Sequence, residues 1–411
     1  MPSNYTLTNG KDRNGKLRYR PDKKKFLYNI DTLWLNADAS NYDEVMENGL
    51  LDKLELGRSY YLDNDLNSVI EISITGYKNP LLFKIFGGQA PLYQFSIRND
   101  DMAIYFSRRS RIDQMPMKIQ INQFILWSKG VEKAFFEALC VLTSLGFAPS
   151  GTKLNRIDFA VHSDQWNWNL RDLEKFEYPK NIAKDNFPDF YRLNPVTGEF
   201  QTVQVGDRTR CQIRIYQKSI EAKKKGKTYF LDLYESLGMD KDNVWNIEIE
   251  VRRDFIKECK DFNGEPLFDD FEKVLNENRL SDLWSYLMDR YHHPSKFWTY
   301  LKDGAVDKKF YNVDGFELIR EKDIDSNFDR EVAQIAGRLK LAVLDKEDYS
   351  FENAIKIFKD KFYEIEVKQK KKDWLEEVEM RKRFLHNNEI NKKINRDIKS
   401  KKKKDTQSPN N

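Results

Sequence analysis

The sequence predicts an α+β fold: a mainly antiparallel sheet with helices on one face, followed by an all-helical C-terminal region. Three observations carry this. Much of the chain before about residue 325 reads as short runs in which apolar and polar residues alternate, the mark of half-buried strands. Between some of those runs lie stretches with apolar residues three and four apart, which are helices packed along one stripe. From about Asp329 onward only the helical pattern remains.

In chain order, residues 1–25 form a polar, basic N-terminal arm without the apolar run of a secretory signal. Residues 26–110 are β-rich. KFLYNIDTLWLNA opens them as a strand, and ASNYDEVMENGLLDKLELG follows as a helix, with Ser40 and Asp43 spaced as a capping box and Gly57 as its stop. SVIEISITGY, LLFKIFGG, LYQFSIRN and MAIYFSRRS are short strands divided by Gly, Asn, Asp and Pro. Residues 111–325 are the α+β domain expected to carry the chemistry. There KIQINQFILWS is a strand, GVEKAFFEALCVLTSLGF a helix and KLNRIDFAVHSD a strand, and residues 165–206 are irregular. RCQIRIYQK and VWNIEIEVRR are strands on either side of a helix near TYFLDLYESLG, and FDDFEKVLNENRLSDLWSYLMDRY is one further helix. Residues 326–400 form a helical C-terminal domain, and 401–411 a disordered basic tail.

A chain of 411 residues suggests two or three units, and 27 Phe, 20 Tyr and 8 Trp are ample for packed interiors. The net charge of +4 is unevenly spread: residues 368–411 hold 15 Lys/Arg and 7 Asp/Glu, a balance of +8, which leaves −4 on the rest. A basic segment on a near-neutral body suits a polyanion, and equally a solvated tail. Cys140, Cys211 and Cys259 are odd in number and widely spaced, so they make neither a disulfide framework nor a CxxC metal site. No run approaches the roughly 18 apolar residues of a membrane span. These features predict a cytoplasmic protein with no membrane partner.

Period-two alternation makes candidate chemistry legible, because every second side chain shares a face. In RIDFAVHSD one face carries Arg156, Asp158, Ala160, His162 and Asp164. In RCQIRIYQK it carries Gln212, Arg214, Tyr216 and Lys218, and in VWNIEIEVRR it carries Asn246, Glu248, Glu250 and Arg252. The plain expectation is that these faces meet water. If the strands adjoin, one surface presents acidic groups, a histidine and a tyrosine among cations. Hard oxygen ligands with one imidazole suit Mg²⁺ or Mn²⁺, and such an ion with flanking cations would hold a phosphodiester. A tyrosine could then attack it. Its reference pKa is about 10, and neighbouring cations should favour the phenolate.

LNRIDFAVHSD, RIRIYQKSIE and WNIEIEVRR, in this order, resemble the Rep_trans group: rolling-circle replication initiators of pT181-type plasmids and related relaxases of integrative conjugative elements. The resemblance spans about residues 25–320. It implies an HUH-like nicking fold, with Tyr216 as the nucleophile among Arg214, Lys218 and Glu221. It also implies Asp158, Glu248 and Glu250 as metal-site or acid/base carboxylates. Where many of the group look acidic, this chain has His162, which is either a further metal ligand or a packing residue. Two histidines flanking one apolar residue, the metal motif of other rolling-circle enzymes, are absent, in keeping with the group. The activity implied is nicking of a single-stranded or cruciform origin site through a 5′-phosphotyrosyl intermediate, leaving a free 3′-hydroxyl. Implied partners are DNA, a helicase or conjugation machinery, and a second copy of the chain. A DNA-binding protein of the same fold that does not cut is the alternative, and a helical adaptor with a basic tail is a third.

Lys223, Lys224, Lys225 and Lys227 form a basic turn, and Arg252 and Arg253 end the third strand. All six are candidates for DNA-backbone contacts, with a solvated loop as the other reading of the turn. GKT at 226–228 fails as a phosphate loop, because Glu221 stands where the first glycine is needed. QWNWN and KFWTYL place aromatics among polar residues, which either stack unpaired bases or, the favoured reading, pin a loop to the body. YHHP reads as a helix end.

Overall fold

The computed structural model describes residues 25–64, 68–168, 190–193, 200–308 and 350–362, with positions 172, 175, 177 and 318. The chain divides into two units, Met1–Ser59 with Phe83–Glu321, and Tyr60–Leu82 with Lys322–Asn411. The arm expected over 1–25 (save Lys25), most of the irregular stretch after 168, most of the helical domain over 326–400 and the tail over 401–411 lie outside the described residues.

The strands are β1 (Phe26–Ala39), β2 (Val69–Ile72), β3 (Leu81–Gln89), β4 (Tyr93–Arg98), β5 (Met102–Phe106), β6 (Met117–Ile121), β7 (Pro149–Ser163), β8 (Phe190–Leu193), β9 (Phe200–Asp207), β10 (Cys211–Gln217) and β11 (Trp245–Arg252). In the first unit they form one antiparallel sheet in the order β3-β4-β5-β6-β1-β7-β11-β10-β9-β8. With the helices this is the α+β architecture the alternation predicts. β9 falls where the sequence reads as loop; Val203 and Val205 are its buried face.

One sheet face is the core. Leu33 and Leu35 on β1, Ile119 and Ile121 on β6, Ile157 and Phe159 on β7, and Ile247 and Ile249 on β11 are essentially sealed from water. Phe159 and Tyr28 pack on Trp284 of the helix Arg279–Arg290. Burying each large apolar side chain contributes about 1.5–3 kcal/mol, so this layer is the main source of stability.

Three local departures have clear causes. KIQINQFILWS is a strand only to Ile121; Asn122 turns the chain and Gln123–Lys129 is a helix, which brings Trp127 onto the sheet. In the segment after Ala39, the capping box does not form, because the Asp43 carboxylate accepts hydrogen bonds from Ser110 instead. That helix breaks at Gly49 (φ +104°) and resumes from Leu51 through Gly57. A Cβ at Gly57 would lie 2.5 Å from Ile85, so this glycine is a close approach rather than a stop. The single helix expected over residues 268–291 is two, Phe271–Asn276 and Arg279–Arg290, divided at Asn278 in the left-handed region (φ 58°).

In the second unit, the helix Phe351–Phe362 is capped by Ser350, whose hydroxyl accepts from the Asn353 amide at 3.2 Å.

Candidate active site

The three motif strands adjoin, and their register brings the polar rows together. Glu250 on β11 stands opposite Asp158 on β7 and Gln212 on β10. Glu248 stands opposite Ala160 and Arg214, and Asn246 opposite His162 and Tyr216.

This face was expected to meet water. Instead Asp158, Glu248, Glu250, Gln212, Asn246 and His162 are all buried. Buried carboxylates must be paired or protonated, and guanidinium groups pair them here. Arg156 forks onto Asp158, with Nε donating to Oδ1 at 2.8 Å and Nη2 to Oδ2 at 2.6 Å, and it reaches Glu250 Oε2 at 3.0 Å. Arg214 Nη2 sits at the centre. It donates to Glu248 Oε1 and lies 3.2 Å from Glu250 Oε2 and 3.5 Å from Asp158 Oδ2. Glu250 also accepts from Gln212 at 3.0 Å and from Arg252 Nε at 2.5 Å. Burial pushes Asp158 up to about 7; the charges of Glu248 and Glu250 add to this and Arg156 opposes it. Glu250, though burial resists it, is held below the usual carboxylate range by Arg156, Gln212 and Arg214.

Tyr216 is half-buried beside this cluster. Its Oη donates to Glu248 Oε2 at 2.8 Å and accepts from Asn246 Nδ2 at 2.9 Å and Lys218 Nζ at 3.2 Å. The donor and both acceptor positions of the phenol are thus filled. Cations were expected to favour the phenolate. The balance runs the other way: burial raises the phenol, Glu248 adds to that, and Lys218 opposes without winning, so Tyr216 stays well above its ordinary value. A protonated phenol hydrogen-bonded to a carboxylate has a proton acceptor already in place.

Lys218 does not lie on the strand face where the alternation put it. β10 ends at Gln217, and Lys218 is the first residue of the helix Lys218–Lys224. From that first turn its ammonium points back beneath Tyr216, buried between Asp31 Oδ2 at 3.4 Å and Glu221 Oε2 at 3.1 Å. Burial opposes its charge, but the carboxylates of Asp31 and Glu221 hold it well above the usual range. Asp31 was not among the sequence candidates. It lies at a β1 register shift between Ile30 and Thr32, and its other oxygen accepts from Trp127 Nε1 at 2.6 Å. An isolated carboxylate inside the apolar run YNIDTLWL was the available signal.

His162 is enclosed by aromatic rings. It stacks on Trp127 (centroids 4.2 Å apart), meets Phe230 edge-on, and its Nδ1 shares a 2.9 Å hydrogen bond with the Tyr234 hydroxyl. Burial and Lys218 hold it well below the usual histidine value, so it is a neutral packing group. Asp158, Glu248 and Glu250 converge on a guanidinium nitrogen, and among the described residues no group of three or more His, Cys, Asp or Glu is arranged for a metal ion. As arranged, with Arg214 at their centre, these carboxylates do not fit Mg²⁺ or Mn²⁺, although their oxygen donors are of the right kind.

Of the DNA-backbone candidates, Lys223 pairs with Asp242, Lys225 and Lys227 with Glu221, Arg252 with Glu250 and Arg253 with Asp269. Lys224 lies exposed on the same helix. Trp166 and Trp168 are buried against Phe297, Trp298 and His293, which is loop-pinning rather than an open stacking platform. No helix among the described residues is long and apolar enough to cross a membrane.

No protein-family model and no curated protein matches the chain. Among solved structures, a rolling circle replication initiator protein from Geobacillus stearothermophilus is similar, at 14% identity and a TM-score of 0.35, over 71% of this chain and 99% of that one. Likeness at that level carries no weight for the chemistry, which stands on the side chains themselves.

Proposed function

We propose that the chain is a DNA nicking-closing enzyme that starts rolling-circle replication or strand transfer, with Tyr216 as its nucleophile. The observation that carries this is the Tyr216 hydroxyl, hydrogen-bonded to a carboxylate base and to two donors that would hold the oxygen as negative charge develops. In the step proposed, Oη forms a bond to phosphorus as its proton passes to Glu248. The P–O3′ bond breaks, and the departing 3′-oxygen takes a proton from water. The 5′-phosphate stays on Tyr216, and the free 3′-hydroxyl primes synthesis or is later rejoined. Arg214, partly exposed and paired with the carboxylates, would meet the phosphoryl oxygens on leaving them.

The test uses single-stranded oligonucleotides tiled across the DNA flanking the coding region, with Mg²⁺ or Mn²⁺, run on a denaturing gel. A covalent protein–DNA band that disappears in Tyr216→Phe is expected. Retained DNA without a band, under every metal tried, sinks the nicking reading. It would favour the second reading, a DNA-binding protein that does not cut, for which the Arg214 plug in the carboxylate cluster is the supporting observation.

A divalent ion, if bound, would be held by Asp158, Glu248 and Glu250 in exchange for Arg214, and would neutralise charge on the phosphodiester. Calorimetric titration with Mn²⁺ should then show tighter binding in Arg214→Ala than in the wild type. Equal, negligible heats in both proteins rule the exchange out. A second copy of the chain and a helicase or conjugation machinery would act downstream of this step.

A further inference from the structure

The polar sheet face continues beyond the reacting centre, across β7 and β1 to β6. Trp34 on β1 stands opposite Arg156 on β7 and Gln120 on β6. Three cations gather on its indole: Lys118 Nζ at 3.9 Å from the ring centroid, Arg156 Cζ at 4.8 Å and Arg252 Cζ at 5.9 Å. Lys118 is only 6% exposed. Lysines buried to that degree are nearly always paired with an anion. Among the described residues its ammonium instead meets neutral groups, donating to Gln89 Oε1 at 3.0 Å and lying over Trp34 and Tyr105. The indole Nε1–H of Trp34 is buried and has no hydrogen-bond acceptor among the described residues.

The local charge does not balance. Four cations, Lys118, Arg156, Arg214 and Arg252, face three carboxylates, Asp158, Glu248 and Glu250. Arg156 and Arg252 both share Glu250, so the side of the cluster nearest Trp34 keeps the surplus. Burial and the two guanidinium groups bring the Lys118 ammonium down to about 8, the behaviour of a cation held without a counter-charge.

We propose that Lys118, the Trp34 indole N–H and Arg252 form an anion subsite that takes one backbone phosphate of a single DNA strand. Neighbouring strands are about 4.8 Å apart, so the backbones at Trp34 and Arg214, three strands apart, are roughly 14 Å from each other. The attacking Tyr216 stands one further position along β10 on the same face, opposite Asn246. The subsite therefore receives a phosphate other than the one attacked, and it holds the strand in line across the sheet. Trp34 itself gathers the cations rather than stacking a base, since they lie within cation–π reach of its ring. This assignment rests on the nicking reading for its ligand, and its test separates the two.

The full chain is titrated with a short mixed-sequence single-stranded oligonucleotide by fluorescence anisotropy over a salt series, and covalent adduct is scored on the same preparations. Lys118→Met, a neutral replacement of similar volume, is expected to lower the log–log salt slope by about 0.7, the value for one phosphate of a single strand. Lys118→Arg should restore it. Trp34→Phe, which keeps a ring and removes the donor, should weaken binding with the slope unchanged. Should Lys118→Met fold poorly, Lys118→Gln reads the same slope. A lowered slope without any adduct supports the subsite and sinks the nicking reading. Adduct formation with wild-type slope and affinity in Lys118→Met and Lys118→Gln overturns the subsite and leaves the nicking reading intact.

Discussion

At the residue scale, a single phenolic oxygen joins two networks. Tyr216 Oη links Glu248, and through it the guanidinium cluster, to Lys218 and the buried Asp31–Glu221 pocket. If Glu248 takes the proton, Glu248→Gln should cut the adduct rate by roughly 10²–10⁴ while DNA binding holds. Lys218→Ala should cost about 10²–10³, the scale of losing one preorganised donor at an oxyanion. Equal loss of folding in both variants, seen by circular dichroism, would mark the pair as structural. Asp158 supplies a pH signature. Its pKa is raised to about 7 from 3.8, so between those values the folded state binds more protons than the unfolded one. Its contribution to stability is complete below about 4 and is lost as pH rises through about 7. Urea midpoints should therefore fall between about pH 4 and 7 more steeply in the wild type than in Asp158→Asn. Parallel curves would show that Asp158 is already ionised. Glu221 behaves oppositely. Burial resists its charge, but Lys218 and Lys227 hold it down to about 2, so its contribution is lost only as pH falls below the ordinary carboxylate range.

At the element scale, the site exists because β10 stops at Gln217 and because β1 shifts register at Asp31. Had β10 run one residue further, Lys218 would share a face with Tyr216 at the next strand position rather than reach beneath it from a helix. The alternation over RCQIRIYQK gave no hint of that stop; the turn is made by tertiary hydrogen bonds, Lys218 N–H donating to the Val244 carbonyl at 2.8 Å and Val244 N–H to the Ser219 hydroxyl at 2.9 Å. The same end of the polar face is roofed by Trp127, Phe230 and Tyr234, which is why His162 packs there. His162→Phe should cost roughly 1–3 kcal/mol, because the buried Tyr234 hydroxyl loses its partner. Adduct formation per folded molecule should be unchanged. Loss of activity beyond the loss of folded protein would assign His162 a part in the chemistry after all.

At the scale of the whole molecule, charge placement governs the expected contact with nucleic acid. The basic stretch 368–411 carries a balance of +8 against −4 on the rest of the chain. Its deletion should weaken single-strand binding and flatten the salt dependence, additively with Lys118→Met if the two contact different phosphates. Unchanged binding across salt would leave that segment no role on DNA. By itself the sequence determined most of the strands, β8 and β9 apart, with their apolar faces and the residue types that share each polar row, because side-chain alternation is a local consequence of backbone geometry. Legible too were Tyr216, Glu248, Glu250, Asp158 and Arg214 as one candidate set. Only the tertiary structure decided that β7, β11 and β10 adjoin, that their polar row is buried, and that guanidinium groups stand among its carboxylates. It also decided that the phenol is held neutral. Those outcomes depend on desolvation and on charges distant in the chain, such as Asp31 and Arg156, whose effects no local pattern carries.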